Sequence, residues 1–386
     1  MWGLRGVGYT GGMRVLVLNH EFPPVGGGAS PMAWQLCRRL AALGHEVDVV
    51  TMRYGDLPPF EQREGVRIHR TWALRRRADI CHTHEMATYL LGAWPTVRRL
   101  LRQRRPQIIH CHFLLPAGPL AWRAGRVAHV PWVVTCHGSD VPGYNPERFG
   151  LDHKLLRPAW RALARRAALL ISPSESLKRL ILAQHPAARV QVIPNGIDLP
   201  DYAPVPKERR IVLCSRLLAR KGFQYALEAI RTLELDWQLD VIGDGPFRAE
   251  LERLAAGSKT PVAFSGWLDR DGPQLRRLYE TGSIFIFPSE AENFPIVLLE
   301  AMAAGMAIIA SSAGGCPEVV GEAALLVPPR DSPAIRRELQ KLIASPDLRR
   351  NLAEAARRRV RQFAWPSVAE QYLRCYQQAV RESEHA

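Results

Sequence analysis

Residues 283–317 read SIFIFPSEAENFPIVLLEAMAAGMAIIASSAGGCP. The apolar run Ile284–Phe287 stops at Pro288 and a polar turn follows. Apolar residues then recur at near-helical spacing from Ile296 to Met302, Gly305 closes that segment, and a second apolar run occupies Met306–Ala310. The order is strand, loop, helix, strand. Glu292 falls in the loop ahead of the helix and Glu300 about two turns inside it, so the two carboxylates can address different parts of one ligand lying against the helix start. Asn293 is the expected N-cap, with Pro295 tolerated in the first turn because it has no N–H to lose. The amides of Phe294, Ile296 and Val297 would then point unpaired out of the helix end, where the dipole suits a phosphate.

The whole string resembles the signature of retaining glycosyltransferases built from two Rossmann domains, specifically glycosyltransferase family 4. In that family two glutamates separated by seven residues hold the nucleotide sugar. Where many relatives have a glycine after the first glutamate and another two positions on, this chain has Asn293 and Pro295. The proline removes one amide donor, which leaves the phosphate contacts of this helix end less secure than the glutamates.

At 386 residues the chain exceeds what one hydrophobic core normally serves, so two domains are expected. No stretch approaches the roughly 18–20 continuous apolar residues of a membrane span, and MWGLRGVGYTGGMR lacks a signal-peptide core. Residues 1–12 are expected to be a disordered leader, and the protein is expected in the cytoplasm. The seven cysteines are odd in number and form no Cys-x-x-Cys, which fits free thiols in a reducing compartment. Of the net charge of +15, residues 1–205 carry +13, and this basic half points to an anionic partner. Phospholipid headgroups or a phosphorylated acceptor fit; nucleic acid is disfavoured, because no helix-turn-helix, zinc-finger or RNA-binding motif accompanies the charge.

From Met13 the chain reads as a βαβ unit: strand Arg14–Asn19, loop Pro23–Ser30, helix Met32–Leu43 and strand Glu46–Thr51. Its loop carries Gly26, Gly27 and Gly28 at the carboxyl end of the first strand, where open parallel sheets bind ligands. The resemblance implies that Gly27 and Gly28 face the sugar and distal phosphate. Strand-like runs recur at Gln107–His110 and Trp132–Thr135, and TCHGSD places His137 and Gly138 just past the second. On its own such a histidine is more often a hydrogen-bonding loop residue; similar His-Gly turns in the family lie beside the transferred sugar, which makes His137 a catalytic candidate. His110-Cys111-His112, with Cys81, His82 and His84, raises a metal site, but only partial ligand pairs are present and none is expected. Arginine-rich helices are expected at Trp94–Arg105 and Arg157–Leu170. They are suited to an anionic membrane surface, but such a split more often marks the solvated faces of buried helices.

A proline-rich linker near Ile193–Arg210 precedes a second sheet that starts with Ile211–Cys214. Arg216 and Lys221 in the next connection match the family's diphosphate-binding pair, Arg as a fork and Lys as a point charge. The GDGP turn at Gly243–Pro246 resembles a turn beside the nucleotide, and Gly314 and Gly315 form a further glycine loop. Residues 333–361 read as a basic amphipathic helical region. Trp365–Val380 resembles the family's last helix, which returns to the first domain.

The expected architecture is therefore α/β of the GT-B type: two facing Rossmann-like doubly wound parallel-sheet domains with an inter-domain cleft. The first covers 13–203, with helix 366–386 packing back on it, and the second, nucleotide-sugar-binding domain covers 204–365. The implied reaction moves a sugar from a nucleoside-diphosphate sugar to a hydroxyl acceptor with retention, without a metal or other cofactor. His137, Glu292, Arg216 and Lys221 are the implied catalytic residues. Gly27, Gly28, Gly243, Asn293, Phe294, Ile296, Val297 and Glu300, with the same Arg216 and Lys221, are the implied donor-binding set. The acceptor is expected to be a lipid-linked or cell-envelope glycan, met by an enzyme peripheral on the inner face of the plasma membrane. Two alternatives stay open: a nucleotide-sugar epimerase or glycan phosphorylase of the same fold, and a non-enzymatic basic protein. The base, the sugar and the acceptor are not encoded legibly.

Overall fold

The computed structural model describes residues 12–78, 81–144, 146–203, 205–270 and 272–385. Apart from Gly12, the expected leader lies outside them. The chain divides into unit 1 (Met1–Pro173, Leu177–Gly196 and Trp365–Ala386) and unit 2 (Ser174–Ser176 and Ile197–Ala364).

In unit 1 the chain runs β1 (Arg14–Leu18), α1 (Ala29–Ala42), β2 (Glu46–Met52), β3 (Phe60–Arg63), β4 (Val66–Thr71), α2 (Thr83–Gln103), β5 (Ile108–His112), α3 (Ala117–Ala128), β6 (Trp132–Thr135), α4 (Pro146–Ala164), β7 (Leu169–Ser172), α5 (Glu175–Gln184, whose first two residues cluster with unit 2) and β8 (Val190–Val192). The strand order is β3-β4-β2-β1-β5-β6-β7-β8, parallel except for β3 against β4. Strands covered on both faces read as continuous apolar runs, and β1, RVLVL, has four of its five residues buried.

Unit 2 continues with β9 (Arg210–Cys214), α6 (Phe223–Ile230), β10 (Gln238–Ile242), α7 (Arg248–Ala255), β11 (Val262–Gly266), α8 (Pro273–Thr281), β12 (Ile284–Phe287), α9 (Ile296–Ala304), β13 (Ala307–Ser311), α10 (Cys316–Val320), β14 (Ala324–Val327), α11 (Ser332–Ala344) and α12 (Pro346–Val360). Its sheet is parallel throughout, in the order β11-β10-β9-β12-β13-β14. The order reverses between β9 and β12, and in unit 1 between β1 and β5. Those reversals open a crevice at the carboxyl ends of the strands, where ligands of such sheets bind. Two such α/β units are the components of the GT-B fold.

The last helix, α13 (Trp365–Glu384), belongs to unit 1. Its Tyr376 hydroxyl lies 2.7 Å from His110 Nδ1, and its Tyr372 hydroxyl 3.2 Å from Thr135 Oγ1, so β5 and β6 are tied to the end of the chain by buried hydrogen bonds.

Several expected boundaries move. Helix α1 starts at Ala29, ahead of the expected Met32, because Pro31 fits a first turn. The expected helix at Trp94–Arg105 is the second half of α2, which runs through Pro95 and ends at Gln103; Arg105 has left-handed backbone, φ 46°, and cannot continue it. The helix expected over Arg157–Leu170 is α4, which begins at Pro146 and ends at Ala164, where the chain turns into β7.

Candidate active site

In unit 2 the β9–α6 connection and the β12–α9 connection stand side by side at the strand-order reversal. Lys221 Nζ is 2.5 Å from Glu292 Oε1, with side chains only 14% and 11% exposed. Ser289 Oγ donates to the same oxygen at 2.7 Å, and Phe287 presents its ring 5.4 Å from the ammonium. The backbone holds these groups in register: Glu290 N–H donates to Arg220 O, and Arg220 Nη1 donates to Ala291 O. The Gly222 backbone, φ 75°, passes so close to Pro288 O that a Cβ there would come within 2.2 Å. Arg216 is solvent-exposed on the same connection as Lys221.

The glycine turns are packing requirements. A Cβ on Gly243 would meet Ser215 O at 1.9 Å, so the β10 turn seats directly under the Arg216 segment. A Cβ on Gly315 would meet Asn293 O at 1.7 Å, and Gly315 N–H donates to Glu292 O at 2.8 Å. The loop after β13 therefore holds the Glu292–Asn293 peptide in place. Gly315→Ala is expected to displace that peptide and lower the melting temperature while far-UV circular dichroism stays native-like; a wild-type melting temperature would disprove the packing role.

The helix start differs from expectation. The N-cap of α9 is Pro295, with extended backbone at ψ 112°, and not Asn293. Phe294 is therefore outside the helix, and its amide is not part of the helix end. Ile296 and Val297 are the first helical residues, whose amides have no preceding turn to bond to. A proline at the cap contributes no side-chain acceptor, which leaves these amides open toward solvent or a ligand.

Glu300, one helical stretch further along, is met by Arg270 Nη2 at 2.8 Å. Burial pushes the Glu300 carboxyl up from its ordinary value, and the Arg270 charge opposes that shift. Sequence reasoning missed Arg270 and Ser289, which sit outside any periodic pattern.

At the carboxyl end of the unit 1 sheet, Gly26 has φ 113°, and a Cβ there would strike Glu21 Cβ at 2.7 Å. A Cβ on Gly27 or Gly28 would meet only open space, so the fold itself does not demand glycine at either. The Gly27 amide donates to Glu21 Oε2 at 3.1 Å, and Arg75, with no exposed side-chain surface, holds Glu21 Oε1 at 3.3 Å. That amide is thus already engaged rather than waiting for an anion.

His137 is placed by Asp140, whose Oδ1 accepts from the His137 and Gly138 amides at 2.9 and 3.2 Å. Its Nε2 is 3.0 Å from His112 Nδ1, and their rings stack with centroids 5.2 Å apart. Burial lowers His137 to about 3, so it is a neutral imidazole at pH 7 and a hydrogen-bonding group rather than a cation. His20, at about 4, and His112, well below its usual value, are neutral for the same reason. His112 Nε2 and His20 Nδ1 are buried without a hydrogen-bond partner. His110 and His112 do share a face, 4.3 Å between centroids, yet among the described residues no group of three or more His, Cys, Asp or Glu is arranged to hold a metal ion.

Residues 26–201 match Glycosyltransferase Family 4 and residues 198–359 match Glycosyl transferases group 1. A GDP-mannose-dependent alpha-mannosyltransferase of Mycobacterium tuberculosis is 30% identical over 96% of this chain and 97% of its own. The chain is a family 4 glycosyltransferase. Two solved structures share the GT-B fold of this glycosyltransferase. A sucrose-phosphate synthase from Thermosynechococcus elongatus aligns with a TM-score of 0.80 at 23% identity, covering 95% of this chain and 98% of that one. Anabaena HepE in complex with UDP aligns with a TM-score of 0.75 at 18% identity, covering 95% and 100%. No helix among the described residues of the glycosyltransferase is long and apolar enough to cross a membrane.

Proposed function

We propose that this glycosyltransferase transfers a sugar from a nucleoside-diphosphate sugar to a hydroxyl of a lipid-linked or cell-envelope glycan, with retention and without a metal. The observation that carries the reading is the buried Lys221–Glu292 pair beside the open Ile296 and Val297 amides. As the bond from the anomeric carbon to the diphosphate oxygen breaks, its electron pair goes to the leaving phosphate. Lys221, Arg216 and the two amides stabilise the charge that develops there, the task a metal performs in other transferases. The acceptor oxygen forms the new bond on the face the diphosphate leaves, and its proton passes to a leaving-group oxygen. Glu292 holds sugar hydroxyls, steadied by Ser289. His137 contributes a neutral hydrogen bond at the transferred sugar. Gly28, next to Gly27, has room that the fold does not use, which suits close approach of a sugar or phosphate.

Glu300 accepts the ribose hydroxyls. In a low-dielectric position such bonds are strong, and Arg270 counters the rise that burial imposes on the carboxyl. Glu300→Ala is expected to raise the nucleoside-diphosphate Kd by about 10–100-fold, as expected for two charge-assisted bonds, with a smaller change in kcat. An unchanged Kd removes the ribose assignment.

The base is left open by the relatives, one named for GDP-mannose and another solved with UDP. The deciding experiment is a thermal shift with UDP, GDP and ADP, followed by nucleotide release across a donor panel with lipid-linked and soluble acceptors. The release assay is run with and without EDTA. Acceptor-dependent release that survives EDTA, with the product's anomeric configuration retained by NMR, supports the reading. Conversion of the donor without acceptor, sugar release that needs free phosphate, or inactivation by EDTA overturns it. The net charge of +15, concentrated in the first 205 residues, supports peripheral attachment to an anionic cytoplasmic membrane face. Flotation with anionic vesicles tests it.

A further inference from the structure

At the amino end of the unit 1 sheet, opposite the end that carries His137, lies a depression of about 1040 Å³. Five arginines line it: Arg14 at the start of β1, Arg98, Arg102 and Arg105 from α2 and its exit, and Arg123 from α3. One carboxylate, Glu384, accompanies them. We infer that this depression is a binding site for a compact polyanion carrying two or more clustered phosphate groups.

The ordinary explanation for arginines at such a place is that they offset helix dipoles. Helices α2, α3 and α13 all end here, and each end carries about half a negative charge, roughly −1.5 together. With Glu384 the negative side comes to about −2.5 against +5, so about half of the arginine charge is not compensated by the fold. The side chains of Arg98, Arg102, Arg105 and Arg123 are exposed, and among the described residues no salt bridge holds any of the five. Like charges gathered this way repel one another, a cost that a bound polyanion would reverse.

The geometry favours phosphate over a generic anion. The Arg123 guanidinium lies 3.9 Å over the Trp94 ring, so its face is used by stacking and its N–H edge remains in plane for a bidentate contact. Arg14 spends only Nε, on Arg105 O at 2.9 Å, which fixes its remaining donors. The volume is that of a small-molecule pocket. A five-residue strand, roughly 15 Å long, separates Arg14 from the ligand end of the sheet, so the donor nucleotide held elsewhere is not the occupant. The clustered phosphates can belong to a soluble molecule or to a phospholipid headgroup, and the test separates the two.

Full-length protein is titrated at 150 mM salt with tripolyphosphate and with inositol hexakisphosphate, and floated with vesicles containing cardiolipin, whose headgroup carries two phosphates. Arg98→Glu/Arg102→Glu is compared with Arg231→Glu/Lys259→Glu, which changes net charge equally at exposed positions of unit 2, and with the milder Arg98→Gln/Arg102→Gln. The expected result is a loss of tenfold or more in affinity for the soluble probes in the first variant, an intermediate loss in the third and none in the second. UDP, GDP and ADP thermal shifts should stay as in the wild type. Binding to vesicles alone, lost in the same order, assigns the site to a lipid headgroup. Failure of every probe to bind, equal losses in the unit 2 control, or displacement of the anion by a nucleoside diphosphate overturns the inference. The anion titrations and flotation do not depend on catalysis, so an error in the donor or acceptor assignment would leave them unchanged.

Discussion

Lys221→Ala is expected to lower kcat/KM about a thousandfold, most of it in kcat, as for removal of a single preorganised donor to a developing oxyanion. Two effects add. The departing diphosphate loses a cation, and Glu292, only 11% exposed and now without its partner, becomes an uncompensated buried carboxylate. The second effect is separable: Lys221→Ala/Glu292→Gln should regain thermal stability relative to Lys221→Ala while remaining inactive. Lys221→Arg should not restore turnover, because a planar fork does not fit a point-charge position bounded by Phe287, Ser289 and Glu292. A Lys221→Ala enzyme within tenfold of wild-type kcat would mean that leaving-group stabilisation comes from elsewhere.

Unit 1 is expected to unfold cooperatively on mild acidification, at a pH where unit 2 persists. His20, His110, His112 and His137 are buried and neutral, with burial lowering His20 to about 4 and His110 and His137 to about 3. Each binds its proton in the unfolded chain near pH 6.5 but not in the folded unit until far lower. Between those values the unfolded state holds more protons, so stability rises with pH and is lost as pH falls. Each proton bound only by the unfolded chain is worth about 1.4 kcal/mol per pH unit, so several such groups titrating together erode a typical domain stability of about 5–15 kcal/mol as pH falls below about 6.5. Neighbouring groups modify the slope without reversing it. Glu21 favours protonation of His20 and Arg75 opposes it, while Asp140, raised by burial, acts in the sense opposite to the histidines. The pair Asp48 with Arg67 acts lower, since the Asp48 carboxyl is held at about 2. Near-UV circular dichroism against pH, with a Tm series from pH 7.5 to 4.5, measures it. A Tm that stays level from 7 to 5 contradicts the account.

Much of this was legible because buried parallel strands announce themselves. Ile284–Phe287 and residues 308–310 have no polar residue to confuse them, and Gly305 stops the helix between. The β3–β4 hairpin was not legible. Its sequence, FEQREGVRIHRT, is polar because β3 is an edge strand with exposed side chains, and because Asp48 on β2 pairs with Arg67 and shares a hydrogen bond with His69 on β4. No local pattern announces a charge whose partner is about 20 residues away. The helix cap at Asn293 misled for a related reason. Local preference favours asparagine, but the Glu292–Asn293 peptide is held by Gly314 and Gly315 from the next connection, and the helix can begin only after Pro295. Arg270, which meets Glu300, and Glu21, which accepts from the Gly27 amide, depend on tertiary proximity in the same way.

The anchoring of β5 and β6 by Tyr376 and Tyr372 bears on how the polypeptide matures as it is synthesised. Between Thr135 and Tyr372 lie 237 positions of sequence, and between His110 and Tyr376 266, so the entire second unit emerges from the ribosome before the hydroxyls that complete the His110–Thr135 network exist. Until then those polar groups face an unfinished interior. The nascent amino-terminal half therefore waits, protease-sensitive, while the later-made unit completes first. Arrested ribosome complexes released at Ala364 and at Glu384 should differ sharply in resistance of residues 108–135 to limited digestion.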